Sequence, residues 1–353
     1  MYLFKNLSER GFIIPRSDNV KKSGNGFDEK MEQNKVQRFL EALAVGDAFG
    51  KVTEYCSLED IAHELGRVET LLTPEESLTH NDLAHGQVTD DTEQNFYLIR
   101  QFAEDKKVTA DNTAKALIKW VDETDAEKYM GPSSGAALRK IKSGEDIYKT
   151  GLHGTTSGGI MRVPAAFLFS KPDNLVQNVV ACLIPTHNTA VAIDAAMTFA
   201  YALQIAAQDK SSIEDICHAA YKGSLVGRKY GSQIRAAAVA PGCGERVRYL
   251  KKYLPNIKDE RALKEHLYYV LGTTCSSWDV CSSVFAIFLW AKDDVFEAIR
   301  LSTEVGGDTD TIACLAACLS SLYAKGHNIP EEMVELVADT NNIDFAEIAS
   351  LVP

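Results

Sequence analysis

Two short stretches of the chain crowd carboxylates against hydroxyls. One is Gly306-Gly307-Asp308-Thr309-Asp310-Thr311, late in the sequence; the other is Thr89-Asp90-Asp91-Thr92, far upstream. Each opens a run with helical spacing of apolar residues: Phe96, Leu98, Ile99 and Phe102 after the first acids, Ile312 to Tyr323 after the second. A helix N-terminus favours ionised acids. A lone Thr-Asp-Asp-Thr is commonly no more than a cap. Gly-Gly-Asp-Thr-Asp-Thr carries one acid more than a cap needs, and two such clusters point to a shared counter-ion. Brought together, Asp90, Asp91, Asp308 and Asp310 would repel one another and raise one another's pKa. Two divalent cations would cancel that charge. Carboxylates and threonine hydroxyls are hard oxygen donors, which suit Mg²⁺ or Mn²⁺ better than zinc. Two such ions about 3.5–4 Å apart can orient a substrate and activate water.

Asp-x-Asp-x-Thr is also a signature of phosphatases of the haloacid dehalogenase type, where it ends a buried apolar strand. Leu301-Ser302-Thr303-Glu304-Val305-Gly306-Gly307 is no such strand, and only helical patterns follow Thr311. A phosphatase of that type is therefore set aside.

Elements able to position these acids read as helices throughout. Val36, Phe39, Leu40, Leu43 and Ala44 form one helical face, running into Gly46-Asp47-Ala48-Phe49-Gly50, with Glu54 just beyond. Further helices are predicted over 110–121, 131–141, 175–183, 189–207, 213–226, 260–271, 280–291 and 294–303, with a last one starting at Pro330, where proline suits a first turn. Pro185-Thr186-His187-Asn188 is expected to interrupt the helix before it. The runs 189–207, 280–291 and 312–323 are apolar nearly all round, so they should be central. No alternating strand pattern is present. The expectation is an all-α, single globular domain of a dozen or more helices over residues 33–353, preceded by a polar, turn-rich extension over residues 1–32.

Composition narrows the function. The 353 residues are 45% hydrophobic and 24% charged, enough for a full core, and the net charge of −12 argues against a nucleic-acid surface. The longest apolar run, Val280 to Ala291, is broken by serines and too short to span a bilayer. Met1-Tyr2-Leu3-Phe4-Lys5 lacks the order of a secretion signal. The eight cysteines fall mostly in apolar helical runs with no Cys-x-x-Cys pair, which reads as buried reduced thiols in a cytoplasmic protein. Trp120, Trp278 and Trp290 lie in helical patterns and are expected in the core. His80 and His85 flank the polar loop before the first acid cluster and are expected to be solvated.

Between the two clusters lies Gly151-Leu152-His153-Gly154-Thr155-Thr156-Ser157-Gly158-Gly159-Ile160-Met161-Arg162. A loop this rich in glycine and hydroxyls can cradle phosphate through backbone N–H groups. It follows no strand and lacks Gly-Lys-Ser/Thr, so it is neither a Rossmann turn nor a P-loop.

Taken in order, these motifs resemble the ADP-ribosylglycohydrolase family across about residues 36–325. Gly46-Asp47-Ala48-Phe49-Gly50 with Glu54 resembles the family's first helix and following acid. Thr89-Asp90-Asp91-Thr92 and Gly307-Asp308-Thr309-Asp310-Thr311 resemble its two metal motifs. Ser157-Gly158-Gly159-Ile160-Met161-Arg162 resembles its glycine loop, and Thr186-His187 with Ala192-Ile193 and Ala195-Ala196 its Ser/Thr-His motif. Each motif alone is weak; five in this order are specific. The resemblance implies an all-α fold around a binuclear Mg²⁺ or Mn²⁺ centre, with Thr89, Asp90, Asp91, Asp308, Asp310 and Thr311 as ligands. It also implies a small-molecule or protein-linked ADP-ribose substrate, with phosphate at the loop (Ser157, Gly158, Gly159, Met161) and His187 positioning the ADP-ribose. Ser157 stands where the family loop usually carries Asn, a shorter side chain without the amide.

The reaction so implied is metal-dependent hydrolysis of an N- or O-glycosidic bond at ribose C1, with water activated at a two-metal centre and an oxocarbenium-like transition state. Glu54 is the candidate acid or base, and Asp91 or another cluster carboxylate is the runner-up. Arg162 either contacts phosphate or braces the loop against a cluster carboxylate, with bracing preferred. The competing expectations are a non-catalytic binder of ADP-ribose or a nucleotide, and a hydrolase of a smaller nucleoside-type substrate.

Overall fold

A computed structural model describes residues 31–234 and 238–353. The expected extension, residues 1–32, therefore lies outside the described residues apart from its last two, and the first helix begins at Gln33. The described residues hold seventeen α-helices and no strand; the single β-bridge pairs Thr156 with Ser276. The all-α expectation is met, and the helices share one continuous core. None of the helices is long and apolar enough to cross a membrane.

The helices expected at the centre are there. Ala190–Ala206, Ser277–Ala291 and Thr309–Ala324 are buried along most of their length. The first helix, Gln33–Gly50, buries Val36, Phe39, Leu40, Leu43 and Ala44, the face read from its spacing. It lies directly on the Thr309–Ala324 helix, and small residues make that possible. A Cβ on Gly46 would stand 2.7 Å from the carbonyl oxygen of Ala313, and one on Gly50 2.4 Å from that of Thr309. Two glycines four residues apart thus let one backbone touch the other, which carries the C-terminal turn of the first helix to the N-terminal turn of the second acid motif.

A second, smaller core of Leu117, Trp120, Ala126 and Leu138 packs beside the first. Trp120 is fully buried as expected, and its indole N–H donates to Glu93 at 2.6 Å.

Three sequence expectations need correction. Pro185 does not interrupt its helix, which runs through it from Leu175 to His187. The missing N–H costs one hydrogen bond in the last turn, while burial of Ile184, Thr186 and His187 holds that turn in place. The 260–271 helix changes character at Leu267: an α-helical turn over Glu260–His266 passes into a π-helical one over Leu267–Leu271, stopped at Gly272 with φ 90°. Short helices at Leu58–Glu64, Cys243–Tyr253 and Phe345–Ser350 were not anticipated. Two of these span only one to two turns, too few for periodicity to register.

Candidate active site

The two acid clusters meet. The first opens the Asp90–Asp105 helix and the second the Thr309–Ala324 helix. Thr311 Oγ1 donates to Asp91 Oδ2 at 3.2 Å. Glu54, Asp308 and Asp310 each place a carboxylate oxygen within 4.8 Å of the others. Asp90, Asp91, Asp308, Asp310, Thr89, Thr311 and Glu54 are all buried.

What holds the first cluster is Asp47, an acid on the first helix. Its Oδ1 accepts from the Thr89 hydroxyl at 2.6 Å, and its Oδ2 from the backbone N–H groups of Thr89 and Thr92 at 3.0 Å each. Thr89 occupies the N-cap position without capping through its own side chain; Asp47 satisfies those helix-end donors in its place. With its proton given to Asp47, the Thr89 oxygen keeps its lone pairs for another partner. A signal for this role was present in the sequence, an ionisable residue in the otherwise apolar run Val45-Gly46-Asp47-Ala48-Phe49. Buried Lys51, one turn on, donates to the Ala84 carbonyl at 3.0 Å, and burial lowers its pKa to about 8 against the opposing pull of Asp47.

The second cluster is held by a strap on either side of the glycines. Gly306 and Gly307 adopt φ 77° and 83°, left-handed values that cost glycine little. The Tyr55 N–H donates to the Gly307 carbonyl at 2.7 Å, and the Gly307 N–H to the Cys56 carbonyl at 3.0 Å. On the other side the Asp308 N–H donates to the Thr273 carbonyl at 2.8 Å, and a Cβ on Gly307 would lie 2.1 Å from that oxygen. Thr309 turns away from the acids: its hydroxyl donates to the Gly50 carbonyl at 2.8 Å.

The buried acids act on one another. Burial, then Glu54 and Asp47, drives Asp90 well above the ordinary carboxylate range. Burial followed by Asp47 and Asp90 does the same to Asp91, and burial followed by Glu54 and Asp308 to Asp310. Asp308 is raised by burial and then by Glu54, though its neighbours Asp310, Ser157 and Thr311 oppose the rise. Two buried oxygens, Asp91 Oδ1 and Asp308 Oδ2, have no hydrogen-bond partner. Buried carboxylate oxygens are not left unpaired at small cost. Orphaned oxygens, an all-oxygen donor set and a surplus of negative charge all fit a hard divalent cation.

The glycine loop and the histidine come together as one unit behind the acids. His187 is fully buried, with Nε2 2.8 Å from the Thr156 hydroxyl and Nδ1 2.8 Å from that of Thr186. Burial, reinforced by Arg162, pushes its pKa well below the usual value, so the ring is neutral. Gly158 lies flat against it, since a Cβ there would stand 2.7 Å from the imidazole Cε1. Close packing on His187 thus explains this glycine beside any phosphate role. The Ser157 N–H is already engaged, donating to the Cys275 carbonyl at 2.8 Å.

Arg162 is fully buried and points inward. Nε donates to Gln94 Oε1 at 2.6 Å and an Nη to Ser134 Oγ at 2.9 Å; the other Nη bonds the Thr186 hydroxyl. Gln94 in turn donates to Asp90 Oδ2 at 3.0 Å. The expected bracing is therefore one residue longer than the direct carboxylate pairing anticipated from sequence. Burial lowers the Arg162 pKa to about 10, opposed by Asp90, which leaves a charged guanidinium. Met161 is buried beside it, its carbonyl accepting from Asn95 Nδ2 at 2.7 Å.

Sequence reasoning missed Gln94, Asn95 and His80. Gln94 and Asn95 follow the acids on their own helix and read as ordinary polar positions. The solvated expectation for the two loop histidines is corrected: His85 Nε2 lies 3.0 Å from the Leu71 carbonyl and His80 Nε2 2.6 Å from Glu54 Oε2. No spacing rule relates His80 to Glu54, because the loop between them is irregular.

Comparison with known proteins identifies the family. The family model of ADP-ribosylglycohydrolase matches residues 29–352. The chain belongs to the ADP-ribosylglycohydrolase family. Among its relatives, an uncharacterised protein of Archaeoglobus fulgidus is 29% identical over 312 residues, covering 87% of this chain and 92% of that protein. The uncharacterised protein YegU of Escherichia coli K12 is 26% identical over 328 residues, covering 90% and 96%. A solved structure described as an ADP-ribosylglycohydrolase-related protein complex superposes with a TM-score of 0.60 at 20% identity, over 92% of this chain and all of that one. The chain thus shares its fold with that structure.

Proposed function

We propose that this glycohydrolase uses divalent cations to hydrolyse an N- or O-glycosidic bond at ribose C1 of an ADP-ribosylated substrate or ADP-ribose derivative. The observation that carries the reading is the pair of orphaned buried oxygens, Asp91 Oδ1 and Asp308 Oδ2, on the two family motifs that Thr311 joins. Thr89, Asp90, Asp91, Asp308, Asp310 and Thr311 would hold two Mg²⁺ or Mn²⁺ ions. When bound, these would neutralise the acids, grip ribose hydroxyls and lower the pKa of water.

The chain's own residues do the rest. Glu54 stands within 4.8 Å of Asp308 and Asp310, where a carboxylate can take a proton from water or give one to the leaving group. Asp91 is the alternative base. Asp47 and Gln94 hold Thr89 and Asp90 in register. His187, neutral and locked between two threonines, fixes the loop of Ser157, Gly158, Gly159 and Met161 that would face the ADP-ribose. Arg162 acts through Gln94 and does not itself meet phosphate. The net charge of −12 disfavours nucleic acid, and eight free thiols suit the cytoplasm.

The test is a panel of arginine-, serine-, acetyl- and 4-nitrophenyl-linked ADP-ribose, with a simple nucleoside, incubated with Mg²⁺ or Mn²⁺ and followed by mass detection of released sugar. Metal-dependent release of ADP-ribose is expected. Binding of ADP-ribose with hydrolysis of no member of the panel would identify a binding protein instead.

A further inference from the structure

We propose that His80 is a positioning residue for Glu54, fixing the orientation in which this carboxylate meets Asp308 and Asp310. The role rests on the reading of Glu54 as the proton-transfer group. His80 Nε2 lies 2.6 Å from Glu54 Oε2, and both side chains are largely buried, at 14% and 9% exposure. An imidazole nitrogen and a carboxyl oxygen at this distance share one hydrogen. Holding Oε2 stops rotation of the carboxylate about its terminal bond and sets its plane relative to the two aspartates.

The loop that brings His80 there is built for the purpose. Val52 accepts the N–H groups of Leu78 and Thr79 at 3.0 and 3.2 Å, and the Thr79 hydroxyl donates to the Lys51 carbonyl at 3.0 Å. Lys51 also donates from its ammonium to Ala84 on the far side of the loop. Residues 78–84 are thereby tied to the segment that ends in Glu54, so the imidazole and the carboxylate move as one body. His80 itself takes φ 54°, and Tyr55, directly after Glu54, takes φ 66°. Neither is a glycine, and a left-handed conformation is disfavoured for such residues. The contacts that impose two strained residues converge on one carboxylate. Tyr55 is held in place by its N–H bond to Gly307, which links this unit to the second acid motif.

Four proteins separate the possibilities: the unaltered chain, His80→Ala, Glu54→Gln and the double variant, each assayed with Mn²⁺ on the ADP-ribosyl panel and titrated with Mn²⁺ by calorimetry. The expected result for His80→Ala is a fall in kcat of about 10–100-fold, the usual size for loss of a partner that orients an active carboxylate or ligand. KM should stay within about twofold, Mn²⁺ stoichiometry should not change, and added imidazole should restore part of the rate. The double variant should be no slower than Glu54→Gln alone, since both changes act through one group. If alanine unfolds the 78–84 loop, His80→Leu, which keeps side-chain volume but has no N–H donor, takes its place in the cycle and should show the same fall, whereas His80→Gln, which keeps a donor, should retain most of kcat; an equal fall in both overturns the role of the hydrogen bond. A kcat within twofold of the unaltered chain for His80→Ala, or full additivity in the cycle, overturns the role of His80 while leaving Glu54 intact. Full activity of Glu54→Gln overturns the reading of Glu54 itself. No hydrolysis of any panel member by the unaltered chain overturns both.

Discussion

Thr311 Oγ1 and Asp91 Oδ2, 220 positions apart in sequence, stand 3.2 Å from each other in the fold. That contact turns two helix entrances into one site. It also makes each cluster depend on the other, because the charge of four buried aspartates must be met at a single place.

Removing half of that charge should remove the cation. Asp308→Asn with Asp310→Asn takes two carboxylates from the centre while keeping side-chain volume. The double variant should lose Mn²⁺ binding, measured by calorimetry or by the electron paramagnetic resonance signal of free Mn²⁺, and its glycohydrolase activity with it. Unchanged metal stoichiometry would sink the assignment of these two residues as ligands.

The same acids set a pH dependence whose sign is fixed by their raised pKa values. Asp90, Asp91, Asp308 and Asp310 are all raised above the ordinary 3.8. In the window between 3.8 and those raised values the folded chain binds more protons than the unfolded one, so its stability rises as pH falls. Thermal unfolding of the protein in EDTA should therefore give a higher Tm near pH 5 than near pH 8. Glu260 works in the other sense, since bonds from Arg300 and Lys264 outweigh burial and bring it to about 2; its contribution is complete above its unfolded value of 4.5 and is lost as pH falls from there towards 2, so it does not oppose the comparison of pH 5 with pH 8. Mn²⁺ must displace the cluster protons, so its binding should release protons and tighten as pH rises. Calorimetry in buffers of different ionisation enthalpy reads that release directly, and a heat independent of buffer would count against it.

Gly50 marks where the first helix meets the second acid motif. A Cβ there would stand 2.4 Å from the Thr309 carbonyl oxygen and 2.6 Å from Asp310 Cα, backbone atoms that cannot turn aside. Gly50→Ala should force the helices apart, costing roughly 1–3 kcal/mol, and weaken Mn²⁺ binding by displacing Asp310. Chemical denaturation and a metal titration on the same sample measure both. A native-like midpoint together with native affinity would show that the contact is looser than it stands here.

Helical spacing, apolar runs and the two acid clusters were open to inspection in the residues alone, because they are local patterns. Val36, Phe39, Leu40, Leu43 and Ala44 declared a buried face, and Asp308-Thr309-Asp310-Thr311 declared a concentration of hard donors. Short helices such as Phe345–Ser350 stayed hidden, having too few turns to repeat, and Pro185 misled because local chain stiffness gave way to burial on all sides. What only the tertiary structure decided is who serves whom. Asp47 caps a helix 42 residues away, and Arg162 reaches Asp90 only by way of Gln94. His80 lies against Glu54, and Thr309 turns to scaffold while Thr311 turns to the acids. Such pairings depend on side-chain direction and on the closeness of backbones brought together by Gly46 and Gly50. Neither leaves a period or a spacing in the chain, since both arise only when distant helices are packed.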